Sequence, residues 1–520
     1  MTSFRRSVWS LVVAIVVGSI LPIAADSIAV DYSMGLTINI SGKDFAPYHI
    51  ASNRRGTVTQ QHSALISASL RHEMDTTQRL SWGAGIEAWG GYASGVDYLR
   101  YDPAADVMIA NNQHPARVWM QQLWVEGKYR GAFITLGQKD IDPGFMNHSL
   151  GSGDLVMSGN ARAPYGVRVG FINYQNIPFT HGWVQIKGEI GYYRHGDSKW
   201  LENHYNYYNN FITTNYWFNY KNTYFRTNPS KPLVFTIGMQ AACQFGGTAT
   251  YYNNGMVWQE IKMKANAESF WHAFIPGSGG ENMGDKIYVE GNHVGSWDMA
   301  LEYKLSPGQT LRGYYQSPWE DGSGVGKLNG YDGLWGVEYR SDSHGVVTGV
   351  VAEFLTLMNQ SGPIHFAYKD FTDDDHPNGS DIGNAATGSD DYYNNYCYNG
   401  YHNRGMSIGS PMAKSPIYNT DGYLRFTDNR LRGFHLGLMG DIGNQVTYRA
   451  LFSWRKSFGT PFIPHRKPIT GTSMMLEATY TPHWLSGLEI KVQFAHDHGT
   501  LYGNNTGALI SIFYNGNFSF

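Results

Sequence analysis

Three groups of residues in this chain are of types that could do chemistry. The first is nucleophilic. There are 19 His and many Ser, including His148-Ser149 and the pair His496/His498. Hydrolysis or acyl transfer needs a nucleophile beside a base that a third group holds. Neither a Gly-x-Ser-x-Gly elbow nor another catalytic spacing occurs, so these histidines read as loop residues and no enzyme is expected. The second group is acidic. Asp373-Asp374-Asp375, with Asp370, Asp381, Asp390 and Asp391 nearby, could collect a hard cation such as calcium. Their spacing does not follow an EF-hand loop. A solvated acidic loop is the plainer reading, and no metal or cofactor is expected. The third group is aromatic and amide-rich: Trp200 to Asn210, Tyr251 to Trp258, Trp319 to Asp321, and Asp390 to Tyr401. Aromatic faces stack on sugar rings, and amides or carboxylates satisfy hydroxyls. Trp319, Glu320, Asp321, Gln360, Tyr392, Tyr393, Asn394 and Asn395 are therefore the candidate contacts for a polysaccharide. The competing reading is that these aromatics pack loops or line a membrane interface.

The elements that must position these loops are strands. Ile510, Ile512, Tyr514, Phe518 and the terminal Phe520 share one face of the last segment, and Ser511, Asn515, Asn517 and Ser519 share the other, with Phe513 the exception. That period of two is a half-apolar strand, and an aromatic C-terminal strand is what a closed outer-membrane barrel carries. At the other end, Arg5 and Arg6 precede an apolar run from Val8 to Ile23, with Ala24-Ala25 after it. Residues 1–25 are expected to be a cleaved signal peptide and 26–520 a single barrel domain in the outer membrane. Beyond that run no stretch approaches the ~20 apolar residues of a membrane helix. Composition agrees: 15% aromatic, 16% charged and 61 Gly suit strands and turns. The formal net charge of -3 argues against a nucleic-acid partner.

Alternation places strands near Met34–Ile40, Gln61–Glu73, Leu80–Tyr92, Arg117–Tyr129, Ala132–Gln138, Gly166–Tyr174, Trp183–Tyr193, Trp217–Arg226 and Leu233–Phe245. It continues through Trp297–Lys304, Thr310–Gln316, Leu334–Arg340, Val346–Leu357, Phe434–Met439, Val446–Trp454, Met474–Tyr480, Leu488–Phe494 and the C-terminal strand. An antiparallel transmembrane β-barrel of about 18 strands follows, with both chain ends at the periplasm. Short turns such as Asp441–Gln445 and Thr481–Gly487 alternate with longer links at Lys456–Thr472, Asp497–Gly507 and Met358–Arg432. Lumen-facing charges have mixed sign: Arg312, Glu338, Arg340, Glu353, Arg449, Arg455, Glu477, Glu489 and Lys491, with Lys187 and Glu189 opposite. Mixed signs fit an internal network of pairs at least as well as a selective pore. Cys243 and Cys397 leave a disulfide open, since their spacing specifies nothing.

The loops also carry a resemblance. Gly137-Gln138-Lys139 is followed by Leu150-Gly151-Ser152-Gly153, Ser158-Gly159-Asn160-Ala161-Arg162 and Ile177-Pro178-Phe179-Thr180-His181-Gly182-Trp183. Later come Glu320-Asp321-Gly322-Ser323-Gly324, Tyr331-Asp332-Gly333-Leu334-Trp335-Gly336, Gln360-Ser361-Gly362-Pro363 and Tyr392-Tyr393-Asn394-Asn395. In this order, across roughly residues 130–460, they resemble the capsule assembly Wzi family of Bacteroidetes-type Gram-negative bacteria. The resemblance implies an 18-stranded barrel whose lumen is filled by inserted loops and helical segments. It also implies a lectin-like role in holding capsular or other surface polysaccharide, without catalysis, as a monomer in outer-membrane lipid. The sequence departs from the family's enterobacterial members in showing no clear amphipathic helix in the first hundred mature residues, which leaves a periplasmic helical plug like theirs open. A passive or selective porin is the alternative function, because fold does not fix function.

Overall fold

A computed structural model describes residues 28–281, 289–362, 365–366, 386–387 and 389–519. The expected signal peptide, the terminal Phe520 and the acidic run with Asp370, Asp373–Asp375 and Asp381 lie outside these residues.

Period-two patterning becomes a wall of 18 antiparallel strands. They are β1 Ala29–Phe45, β2 Gln60–His72, β3 Leu80–Ala93, β4 Val118–Tyr129, β5 Ala132–Gln138, β6 Tyr165–Phe171, β7 Val184–Arg194, β8 Trp217–Thr227 and β9 Leu233–Phe245. The second half is β10 Asn292–Ser306, β11 Gln309–Trp319, β12 Gly333–Ser341, β13 Gly349–Thr356, β14 Leu431–Ile442, β15 Val446–Gly459, β16 Pro464–Tyr480, β17 Leu488–Gly499 and β18 Asn505–Ser519. Each pairs with its chain neighbour, and β1 closes the ring on β18 from Ala29↔Ser519 to Ser41↔Gly507. Closure satisfies every strand edge, which is what allows a sheet to cross lipid. Each strand expected from alternation has its counterpart in this wall.

Two links differ from expectation. The ladder of β15 and β16 continues through Ser457↔Ile469 to Gly459↔Pro464. The segment read as a loop from Lys456 to Thr472 is therefore mostly strand. Likewise β17 and β18 pair up to Asp497↔Asn505. Alternation fades there because Pro464 to Lys467 is exposed or half-exposed on both faces, as expected of strands that rise past the lipid. In contrast β13 begins at Gly349, not Val346. The Val346 carbonyl is taken by the Tyr448 hydroxyl at 2.5 Å, and Val346 itself is exposed in the turn.

Outward side chains are apolar and exposed, as a lipid-facing wall requires; Ile66, Leu436, Leu476 and Phe494 are examples. Near the long-loop end an aromatic row runs across five strands as successive partners, Tyr315↔Trp335↔Phe354↔Phe434↔Trp454. Tyr315 and Trp335 stack with ring centroids 3.9 Å apart. This is the interfacial girdle. The short turns mark the periplasmic mouth and the long loops the outer side, as in barrels of this kind.

Inside, three loop segments fill the lumen. Residues 46–59 contain the short helix α1, Tyr48–Ala51, all of whose residues are buried. Residues 139–164 descend far enough for Arg449 to reach the Ser149 carbonyl at 2.8 Å, then climb back. Residues 389–430 close over them from outside. Leu155, Val156 and Met157 join wall residues Phe218, Tyr220 and Tyr224 and cap residues Tyr393, Tyr401 and Phe426 in one hydrophobic core. A glycine in the wall makes room for this: a Cβ on Gly437 would collide with the Leu150 carbonyl.

Polar residues pin the inserted loop. Asp154 and Asp298, both fully buried, share two amide donors. Gln240 Nε2 lies 2.8 and 2.9 Å from them, and Gln316 Nε2 2.9 and 3.1 Å. Asp154 also accepts the backbone N–H groups of Val156 and Met157 at 2.7 and 2.9 Å. The lumen charges pair as their mixed signs implied: Arg312 with Glu338, Arg449 with Glu477, and Lys491 with Glu489. Arg455, without exposed surface, lies 3.7 Å above the Tyr48 ring and 4.7 Å from that of Tyr502, a desolvated cation held on π faces.

Candidate functional site

The four aromatic, amide-rich stretches segregate into two assemblies on the outer side. Trp319 to Asp321 and Asp390 to Tyr401 meet and are largely buried. Trp200 to Asn210 and Tyr251 to Trp258 meet elsewhere and stay partly open.

The first assembly grows from the end of β11. Asp321 caps a short helical turn, Gly322–Val325, through Ser323 N. Glu320 Oε1 accepts Tyr393 N at 2.6 Å, and Gln360 Oε1 accepts Tyr392 N at 3.1 Å. The Gln360 amide also donates to the Leu357 and Asn429 carbonyls. Asn394 exchanges two bonds with the backbone of Phe426, donating at 2.9 Å and accepting at 2.9 Å. Asn395 Oδ1 accepts Cys397 N at 2.8 Å. Trp319, Tyr392 and Tyr393 are 5%, 1% and 3% exposed, so their ring faces are covered by protein. All eight candidate residues are thus gathered in one place, where they build the lid of the barrel. Of the eight, only Glu320, Asp321 and Asn395 are half-exposed.

Burial loads this lid electrostatically. Asp390 is pushed up to about 7, first by burial and then by the charge of Asp321, against the Ser361 hydroxyl that donates to it at 2.8 Å. Burial likewise raises Glu320 well above the carboxylate range, with Asp390 adding to it. Among the described residues, no cluster of three or more His, Cys, Asp or Glu has metal-binding geometry.

The second assembly is a small crown. Helix α2, Ser198–His204, and a three-stranded sheet (Asn210–Thr214, Gly247–Asn253, Met256–Met263) enclose their own core of Leu201, Tyr205, Ile212, Tyr216 and Tyr398. Its outer side carries half-exposed tyrosines. Tyr207 meets Tyr252 edge-on with centroids 5.3 Å apart, and Tyr101 lies 4.9 Å from Tyr208. The Arg100 guanidinium sits 4.8 Å over Tyr207. Trp258, 61% exposed, stands 5.7 Å from Tyr251. Open aromatic faces beside Asn209, Asn253 and Asn254 have the chemistry that sugar rings select. Arg100 and Tyr101 come from a hairpin, Val96–Asp102 with Val107–Gln113, that the strand pattern did not anticipate. Its signal in the sequence is short, Val96 and Tyr98 alternating with Asp97 before Asp102-Pro103.

Cys243 and Cys397 are both buried. Cys397 Sγ lies 3.2 Å from Met263 Sδ and Cys243 Sγ 3.4 Å from His293 Nε2. His148 Nε2 pairs with Asp142 at 2.7 Å in its loop, whereas His496 and His498, read from the sequence as loop residues, lie on β17, where the ladder continues past the lipid and His496 Nδ1 meets the Thr506 hydroxyl at 2.8 Å.

No family model and no curated protein sequence matches the chain. Solved structures do. One is Wzi of Escherichia coli, an outer-membrane protein involved in group 1 capsule assembly and a carbohydrate-binding β-barrel. It matches with a TM-score of 0.52 and 11% identity over 93% of this chain and 83% of that one. Acinetobacter baumannii OccAB4 matches at 0.43 and 10% identity, covering 94% and 98%, and Pseudomonas aeruginosa OccD3 at 0.45 and 8%, covering 96% and 93%. At these identities the likeness is one of fold. The chain has the fold of an outer-membrane barrel.

Proposed function

We propose that this protein is a surface-glycan-holding barrel: a sealed outer-membrane cylinder whose external crown binds capsular or related polysaccharide and keeps it on the cell. The observation that carries this reading is the division of labour among the aromatic loops. One set is spent on closing the lumen, while exposed Trp258 and half-exposed Tyr252 on the crown sheet, with Tyr207 beside them, face the outside. A filled lumen favours holding over transport. The carbohydrate-binding fold relative and the resemblance of the loop motifs support the same reading. No nucleophile-base-orienter arrangement is needed for it, and none enters it.

Purified barrel and its Tyr252→Ala/Trp258→Ala variant, titrated with surface polysaccharide from the source strain, test the reading. Saturable binding by the parent that falls about tenfold in the variant, ~1.4 kcal/mol, supports it. Equal binding by both, or none by the parent, rejects the crown. The porin alternative separates in a planar bilayer, where a sealed barrel gives no open-channel steps and a porin does.

A further inference from the structure

Below the inserted loops, the periplasmic half of the lumen holds a polar cavity of about 210 Å³. Its walls come from Arg449 on β15, Glu477 on β16, Lys491 and Gln493 on β17, and Arg54 from the segment after α1. Arg449, Glu477 and Lys491 sit close to the short-turn ends of their strands, so this space faces the periplasm. Three cations line it against one carboxylate. That carboxylate, Glu477, is already engaged by Arg449 at 2.8 Å and by the Gln493 amide. Lys491 has Glu489 at 3.3 Å, while Arg54 Nη2 rests on the neutral Gln493 Oε1 at 2.6 Å. The walls therefore carry surplus positive charge.

Four buried polar atoms of the lining lack a partner: Arg449 Nε, Ser152 Oγ, His49 Nε2 and Asn53 Oδ1. Ser152 and His49 are 2% and 6% exposed. Buried polar groups without partners are costly, and these four lie on residues that surround one cavity. They also differ in kind. Arg449 Nε only donates. Asn53 Oδ1 only accepts, its orientation fixed by its own amide donating to the Ser152 carbonyl at 3.4 Å. An occupant that satisfies both presents anionic oxygen to the arginines and a hydroxyl to Asn53.

The geometry points to a periplasm-facing binding site for a small hydroxycarboxylate of sugar-acid size, held by Arg54, Arg449 and Lys491 and hydrogen-bonded by Asn53 and Ser152. The site stands apart from the outer crown, so it holds or fails independently of the proposed glycan-holding role. Gluconate titrated into the full-length barrel in detergent is the probe. One-to-one saturable binding is expected. Lys491→Gln and Arg54→Gln, which leave the Arg449–Glu477 pair in place, should each weaken it about tenfold. Glucose, which lacks the carboxylate, and acetate, which lacks the hydroxyls, should bind at least tenfold more weakly than gluconate. No saturation by gluconate, equal binding of glucose, or full affinity in both variants overturns the proposal. A crystal structure of the unsubstituted barrel grown with gluconate gives a second test: density for the acid between Arg449 and Asn53 is expected, and water alone in the cavity overturns it.

Discussion

The Tyr393 hydroxyl donates to the Leu155 carbonyl at 2.7 Å, joining the outermost loop to the loop that descends through the lumen. Beside it, Tyr401 donates to the Val156 carbonyl at 2.9 Å. Through these two phenols the lid and the filling are one body. Removing both hydroxyls with Tyr393→Phe/Tyr401→Phe leaves two buried carbonyls without these donors, at ~1–3 kcal/mol each. The expected result is faster proteolysis of residues 389–430 in the folded barrel, with the wall still heat-resistant in detergent.

The two aromatic assemblies respond differently to truncation. Trp258→Ala removes an exposed side chain and should change stability by no more than ~0.5 kcal/mol. Tyr392→Ala empties a fully buried site and should cost ~3–5 kcal/mol. Thermal denaturation of the two variants should therefore rank them opposite to their effects on glycan binding per unit of stability lost. Equal destabilisation would contradict the assignment of one to the crown and the other to the lid.

The lid should loosen as pH rises. Asp390 titrates at about 7 when folded and near 4 when unfolded. The folded state thus prefers the protonated acid. Its contribution is full below the unfolded value and is lost as pH rises through the folded one. Glu320, also raised by burial, has the same sign. Buried His204 and His402, pushed down to about 4, act in the opposite sense, and only below about pH 6.5. Between about pH 6 and 7.5, amide-exchange protection at residues 389–401 should fall in the parent protein and stay level in Asp390→Asn. A rise with pH would contradict the account.

In the proposed reading the inserted loop is what closes the barrel. Replacing residues 141–160 with a short Gly-Ser linker removes Leu155, Val156 and the Asp154 anchor, while the wall's hydrogen-bond ladder stays complete. Such a barrel should show single-channel steps in a planar bilayer where the parent shows none. A parent that conducts as well as the deletion would mean that the lumen is open.

The wall was legible from the sequence because lipid and lumen impose opposite demands on successive residues. Ile510, Ile512 and Tyr514 face out and Ser511 in, as alternation requires. Above the lipid that demand lapses, and so the ladder of Ser457–Gly459 with Pro464–Ile469 carries no regular alternation. The loops were legible in composition but not in role. Tyr392 and Trp258 are both aromatic residues in long loops, and only the three-dimensional course of residues 139–164 decides which is covered. The crown hairpin of Arg100 and Tyr101 is short, and its strands pair only with each other. Nothing in the pattern of the wall strands predicts it. The periplasmic cavity unites Arg54, Arg449 and Lys491 from distant parts of the chain, a juxtaposition that spacing cannot reveal.

The central claim is that this barrel holds polysaccharide on the cell, and the most direct measurement is the ratio of cell-bound to released polysaccharide. It should be compared in the parent strain, a deletion strain, and the deletion strain complemented with either the parent gene or Tyr252→Ala/Trp258→Ala. The account predicts increased release at unchanged total synthesis in the deletion, restored retention with the parent gene, and continued release with the crown variant at equal barrel abundance. Normal retention in the deletion strain would contradict it.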